Sequence, residues 1–113
     1  MERKPRVFFP ILSSRFNVAG AAKFGQVVFL IKTENFSPFA TDEVLMLFKR
    51  ELARSGFDPE FDFFGFTGPG IFLTLFGMVL ARHFQKVRGL MFDSRTGEYV
   101  ERMIPLGGVQ HVG

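Results

Sequence analysis

The chain has 113 residues, a formal net charge of +3 and no cysteine, and its aromatic residues are 17 phenylalanines and one tyrosine. This length suits one domain, and the absence of cysteine excludes zinc fingers, iron–sulfur clusters, disulfide frameworks and cysteine nucleophiles and favours an intracellular, cytoplasmic setting. The phenylalanines indicate a thick core or a dry contact surface, and the mild basic charge permits a nucleic-acid partner without the dense basic stripe typical of one.

The first elements predicted along the chain are a strand, a short helix and a second strand. The first strand begins at Arg6 and carries Pro10 near its end, where a missing hydrogen-bond donor is tolerated. Asn17 is a suitable cap for the short helix over 18–24. The second strand, over 26–32, contains five consecutive apolar residues, a pattern typical of a central strand that is covered on both faces.

The best-defined helix is predicted from about Thr41 to Ser55. Thr41 is the predicted N-cap, because its hydroxyl can accept a hydrogen bond from the first turn. Gly56 suits the left-handed conformation that ends many helices. The residues at helical spacing predict a buried stripe formed by Val44, Leu45, Phe48 and Leu52.

The second half of the chain begins with a third strand over 61–67 and a turn at Gly68-Pro69-Gly70. The helix predicted over 71–84 is apolar almost all round and should therefore be buried on several sides. A fourth strand over 87–93, a hairpin loop and a fifth strand over 98–104 follow. Residues 63–81 carry no charge and are numerous enough to cross a membrane, but the glycine and proline turn interrupts them, so we expect no membrane span.

This order of elements predicts one α/β domain over residues 1–105 and a flexible C-terminal tail over 106–113. The expected sheet is open, five-stranded and mostly parallel, with two main helices and a C-terminal antiparallel hairpin. From the third strand to the hairpin at Asp93 to Tyr99, which contains Arg95 and Gly97, the chain resembles small uncharacterised α/β proteins carried by phages and plasmids. The resemblance implies no function.

The sharpest local pattern is strand, Gly68-Pro69-Gly70, helix, strand and then Asp93, 23 residues after Gly70. In a dinucleotide-binding unit, such glycines let the backbone approach pyrophosphate at the helix N-terminus, and the acidic residue binds ribose. However, Leu73 occupies the place of the third glycine, and the chain is too short for a second nucleotide-binding half. The alternative interpretations of this turn are a site for a smaller anionic ligand and a tight turn that binds no ligand.

If the first three strands are parallel, the loops that follow them share one edge of the sheet, where ligands of open α/β proteins bind. The hydroxyl, amide and guanidinium donors at that edge suit phosphate or a nucleic-acid backbone, although loops are generally rich in such residues. The candidate ligand-binding residues are Ser13, Ser14, Arg15, Asn17, Thr67, Gly68 and Gly70, with Glu34 and Asn35 at the same edge and Asp93 as a ribose or other polar contact.

Catalytic and metal sites receive little support, and we predict neither a metal nor a cofactor. His83 and His111 have no cysteine or paired carboxylate nearby in sequence. The acidic group Asp58, Glu60 and Asp62 has the spacing of a solvated turn. A basic patch, or simply solubilising charge at a helix end and an edge strand, is predicted from Arg82, His83, Lys86, Arg88, Arg95 and Arg102.

The leading hypothesis is a small non-enzymatic binding or accessory protein for nucleic acid or another phosphate-bearing ligand. The alternatives are a small enzyme acting on a nucleotide or phosphoester at the same edge, and a structural or assembly protein of a virus or mobile element. A symmetric homo-oligomer, such as a homodimer, is expected, because two helices and one sheet offer too little interior to cover the second helix and 17 phenylalanines.

Overall fold

A computed structural model describes residues 3–33 and 36–107 of the chain. Glu34, Asn35, His111 and the rest of the predicted tail beyond residue 107 lie outside the described residues. The elements are β1 (Arg6–Ile11), a 3-10 helix (Ala19–Lys23), β2 (Gln26–Ile31), α1 (Thr41–Ser55), β3 (Phe63–Gly65), α2 (Gly70–His83), β4 (Lys86–Asp93) and β5 (Glu98–Pro105).

The five strands form a mixed sheet in the order β2-β1-β3-β4-β5. β1 is parallel to β2 and β3, β3 is parallel to β4, and β4 is antiparallel to β5. The sheet is thus mixed rather than mostly parallel, and the predicted antiparallel C-terminal hairpin is confirmed. The antiparallel ladder runs from Lys86 to Asp93, whereas β1 and β3 pair only at Val7 and Phe8, because β3 has just 3 residues. The tight hairpin lets β4 and β5 pair along their full length without a crossover.

The second strand lies at the edge of the sheet and not at its centre as predicted. Its apolar run is nevertheless covered on both faces. Leu30 and Ile31 belong to the core beneath the helices, and Val27 and Phe29 pack against the core on the opposite face. A continuous apolar run therefore indicates coverage of both faces of a strand and carries no information about its lateral position.

Both α-helices pack on one face of the sheet, and the 3-10 helix packs on the other. The helix-side core contains Phe48 of α1, Phe76 of α2 and Phe64 of β3. The opposite core contains Phe9, Phe63, Leu90 and Tyr99, with Ala21 of the 3-10 helix. The connection between β1 and β2 thus crosses one face, and the two helical connections cross the other. This reversal places the topological switch point between β1 and β3.

The helix ends differ in detail from the predictions. Ala40, rather than Thr41, is the N-cap of α1, and no side chain caps its first turn. Gly56 adopts the predicted left-handed conformation, with φ of 69°. α2 exposes Ile71 and Met78, so its apolar surface is not covered on all sides. Within the described part of the chain, no helix is long and apolar enough to cross a membrane.

Candidate functional site

A cleft of about 390 Å³ lies at the switch point, beyond the carboxyl end of β1. We call it the switch-point cleft. One wall is the loop that follows β1, a second wall comes from the segment before α1, and the third is the start of α2. The residues that line it include Ser13, Ser14, Arg15, Phe36, Pro38, Pro69, Ile71 and Phe72. Three of the seven predicted ligand-binding residues therefore line one cleft beside the predicted glycine turn.

The loop after β1 folds into a tight turn that leaves its polar groups near the cleft. The backbone N–H of Phe16 donates to the carbonyl of Ser13 at 3.3 Å, and that of Arg15 approaches the Ser13 hydroxyl at 3.4 Å. The Arg15 guanidinium lies 5.7 Å from the centre of the Phe16 ring. Arg15 forms no ion pair with any of the described residues. The cleft is thus bordered by an exposed cation that has no carboxylate partner there.

The start of α2 presents backbone donors to the same cleft. Gly68 has a φ of 149°, a backbone conformation that residues with a side chain rarely adopt. Pro69 is the N-cap of α2, and no side chain caps the first turn. The amides of Phe72 and Leu73 both donate to the carbonyl of Pro69. Those of Gly70 and Ile71 find no acceptor among the described residues. Free N–H groups and the positive end of the helix dipole make this terminus receptive to an anion.

Thr67 and Asn17 are engaged in structural hydrogen bonds and do not line the cleft. The Thr67 hydroxyl shares a 2.8 Å hydrogen bond with the hydroxyl of Tyr99, which is only 3% exposed. Burial raises the pKa of Tyr99, and the bond to Thr67 offsets part of that effect. The Asn17 carbonyl oxygen accepts the backbone N–H of Ala19 at 2.9 Å, which stabilises the start of the 3-10 helix.

Asp93 belongs to the hairpin and not to the switch-point cleft. Its carboxylate accepts the guanidinium of Arg95 at 3.2 Å and the backbone N–H of the same residue at 2.9 Å. These hydrogen bonds lower the pKa of Asp93. A shallow depression beside the hairpin is lined by Asp93, Arg95 and Arg102. Asp93 therefore does not line the switch-point cleft, where the ribose contact would be needed.

Asp62 is a buried charge with several partners and not, as predicted, part of a solvated turn. Its carboxyl is completely buried, and both oxygens accept hydrogen bonds of 2.6 Å from the guanidinium of Arg3. The backbone N–H groups of Arg6 and Asp58 donate at 3.0 and 2.9 Å. Burial acts to raise the pKa of Asp62, but these hydrogen bonds and the charge of Arg6 hold it below its usual value. The partners Arg3 and Arg6 are too distant in sequence for any spacing to reveal them.

Several members of the predicted basic patch have partners of their own. The guanidinium of Arg88 pairs with Glu101 at 3.0 Å and lies 4.2 Å from the centre of the Phe63 ring. Arg102 donates to the backbone carbonyl of Glu101. The ion pair of Arg88 joins β4 to β5, the edge strand, where such charges limit pairing with other chains.

Comparison with known proteins identifies a family but no characterised relative. No curated protein and no solved structure matches the chain. The model of a family described as phage Pam3 gp32-like protein matches residues 8–106, which is most of the chain. The resemblance to small phage-borne proteins is thereby confirmed. The chain belongs to the phage Pam3 gp32-like family.

Proposed function

We propose that the protein is a small, non-enzymatic binding protein that holds a phosphate-bearing ligand, a nucleotide or a nucleic acid, in the switch-point cleft. The observation that carries the proposal is the meeting of Arg15 with the uncapped start of α2 in one cleft. A guanidinium and the free N–H groups of a helix N-terminus are donors that commonly bind phosphate in proteins. The location agrees with the rule that ligands of open α/β sheets bind at the switch point.

The remaining walls of the cleft suit the rest of a nucleotide. Phe36, Pro38 and Phe72 supply apolar surface against which a sugar or base can pack. The volume of about 390 Å³ falls within the range of small-molecule sites. Binding is favoured over catalysis because the described residues that line the cleft offer donors but no carboxylate or imidazole for proton transfer.

We also propose that the protein acts in the cytoplasm as a homo-oligomer. Two apolar surfaces support this proposal. α2 exposes Ile71 and Met78, and the β4–β5 hairpin exposes Met91, Phe92 and Met103. β5 lies at the edge of the sheet, so one side of its backbone is open to a second strand. Closed twofold pairing is the commonest way to cover such surfaces.

The experiment that tests the ligand proposal compares Arg15→Ala with Arg50→Ala. Arg50 lies exposed on α1 and does not line the cleft, so it is a matched loss of one positive charge. Binding of a fluorescent adenosine triphosphate analogue and of a labelled oligonucleotide is measured by anisotropy at fixed salt. Arg15→Ala should weaken the binding about tenfold, because a hydrogen bond to a charged group contributes about 1.5–3 kcal/mol.

Two outcomes would contradict the ligand proposal. Equal losses in both variants would reduce the interaction to general electrostatics. Absence of binding by the unmodified protein at millimolar nucleotide would remove the proposal altogether. If the unmodified protein binds the probes, the probe with the higher affinity shows whether the preferred ligand is a nucleotide or a nucleic acid.

A further inference from the structure

A second cavity, of about 550 Å³, lies between the C-terminal half of α1 and the end of α2. We call it the interhelix cavity. Its apolar lining comes from Leu52, Phe57 and Phe84, and the rings of Phe57 and Phe84 lie 5.5 Å apart. The cavity is larger than the switch-point cleft and is within the range of small-molecule sites, roughly 300–1,000 Å³.

The polar side chains that line the interhelix cavity are all basic: Lys49 from α1, and Arg82 and His83 from α2. Lys49 and Arg82 form no ion pair with any residue in the described ranges. The described residues that line the cavity include no carboxylate. An apolar pocket bordered by unpaired cations is complementary to a molecule with an apolar chain and an anionic end.

Helix capping accounts for only part of this charge. Arg82 and His83 lie in the last turn of α2, where cations are favourable beside the free carbonyls. The end of α1 is already satisfied by Arg6, whose guanidinium donates to the carbonyls of Ser55 and Gly56 at 2.6 and 3.0 Å. Lys49 lies before that last turn and plays no part in capping. Lys49 is exposed, so its ammonium group is available to a ligand in the cavity that it borders.

We propose that the interhelix cavity binds an aliphatic carboxylate, with the chain against Leu52, Phe57 and Phe84 and the carboxylate between Lys49 and Arg82. A nucleotide fits less well, because ribose hydroxyls buried against phenylalanine and leucine would lose their hydrogen bonds to water. A neutral hydrocarbon would gain nothing from the two cations. This site lies at the opposite end of α2 from the switch-point cleft, roughly 20 Å away along a helix of 14 residues. The inference is independent of the proposed function.

The test titrates decanoate and decanol, below the concentration of micelle formation, into the ¹⁵N-labelled full chain. Decanoate should bind saturably and shift the amide signals of Leu52, Phe57 and Phe84. The double variant Lys49→Ala/Arg82→Ala should weaken decanoate binding about fivefold, in line with two exposed ion pairs, and leave decanol binding unchanged. Arg50→Ala, which removes a charge from another face of α1, should leave both affinities unchanged.

A second variant guards against an indirect effect of the charges. Ala53 is exposed and lines the cavity, so Ala53→Phe should occupy part of the space for the aliphatic chain without disturbing the core and should weaken both ligands. The proposal is overturned if decanoate shifts no lining signal, if decanol binds as tightly as decanoate, or if Ala53→Phe binds decanoate normally. Nucleotide binding at the switch-point cleft should be unaffected by any of these variants.

Discussion

Replacement of Asp62 by alanine is the sharpest perturbation that the fold offers. The carboxylate joins four separate parts of the chain: the N-terminal segment through Arg3, β1 through Arg6, the turn at Asp58 and the entry to β3. Arg6 extends the network to the end of α1, since its guanidinium donates to the carbonyl of Ser55. Loss of the carboxylate should therefore lower the free energy of unfolding of the whole domain.

The size of the loss follows from the groups that Asp62→Ala would leave without partners. The backbone N–H groups of Arg6 and Asp58 lose their acceptor, and each buried donor left unsatisfied costs about 1–3 kcal/mol. The side chains of Arg3 and Arg6 are 41% and 19% exposed, so both can turn partly to water. This relief places the loss at the lower end of the range of about 3–5 kcal/mol for a broken buried ion pair. We expect about 3 kcal/mol.

Chemical denaturation of Asp62→Ala and Glu60→Ala measures this loss with a matched control. Glu60→Ala removes an equal charge from an exposed side chain two positions away in the same turn. The denaturation midpoint of Glu60→Ala should stay close to that of the unmodified protein. The midpoint of Asp62→Ala should fall, and the melting temperature of this variant should drop by about 10 °C. Equal midpoints for the two variants would refute the assignment of a stabilising role to the buried carboxylate.

The pH dependence supplies a second test of the same carboxylate. The folded-state pKa of Asp62 is lowered, so its contribution is complete above its unfolded value and disappears as the pH falls through the folded value. The difference in unfolding free energy between the unmodified protein and Asp62→Ala should therefore be constant between about pH 7 and 5 and should narrow below about pH 4. A difference that stays constant, or widens, down to pH 3 would contradict the ionised, hydrogen-bonded state of Asp62.

Three further predictions concern the helix end, self-association and metals. Gly56→Val should lower the unfolding free energy by about 1 kcal/mol or more, because a φ of 69° strains a β-branched residue. An unchanged denaturation midpoint would be incompatible with a left-handed residue at the end of α1. Light scattering at tens of micromolar should return a dimer or larger symmetric oligomer, and the 12.8 kDa monomer mass would rule out stable self-association. A chelator should leave the melting temperature unchanged; a drop of many degrees would reveal a structural ion.

The order of elements could be predicted because local chemistry determines it. Gly56 ends α1 as its freedom of φ suggested. Of the predicted stripe, Val44, Phe48 and Leu52 are buried, whereas Leu45 is only partly buried against the core. The lateral order of the strands could not be predicted in the same way. An edge strand covered on both faces, such as β2, has the same apolar pattern as a central strand. The length of β3 was overestimated because hydrogen bonds from the amides of Phe61 and Asp62 to Asp58 hold those residues in a turn.

The candidate site was predictable to the extent that it depends on strand direction. Parallel pairing of β1 and β3 brings the loop with Arg15 to the start of α2, as predicted. Thr67 and Asn17 have the same residue chemistry as the cleft residues, but each has a specific partner elsewhere in the fold. The direction in which a loop side chain points depends on such tertiary partners, and composition does not record them.

The distribution of paired charges decides which surfaces can bind an anion. A net charge of +3 describes a weakly basic protein, and most of its arginines at the N-terminus and on the hairpin pair with carboxylates. Among the residues in the described ranges, several cations have no carboxylate partner, and three of them, Arg15, Lys49 and Arg82, border the switch-point cleft or the interhelix cavity. A free cation beside apolar walls attracts an anion more strongly than a paired cation of equal exposure, because no intramolecular partner has to be displaced. Cations without a carboxylate partner therefore lie at both ends of the helical layer, where we propose the two ligand sites.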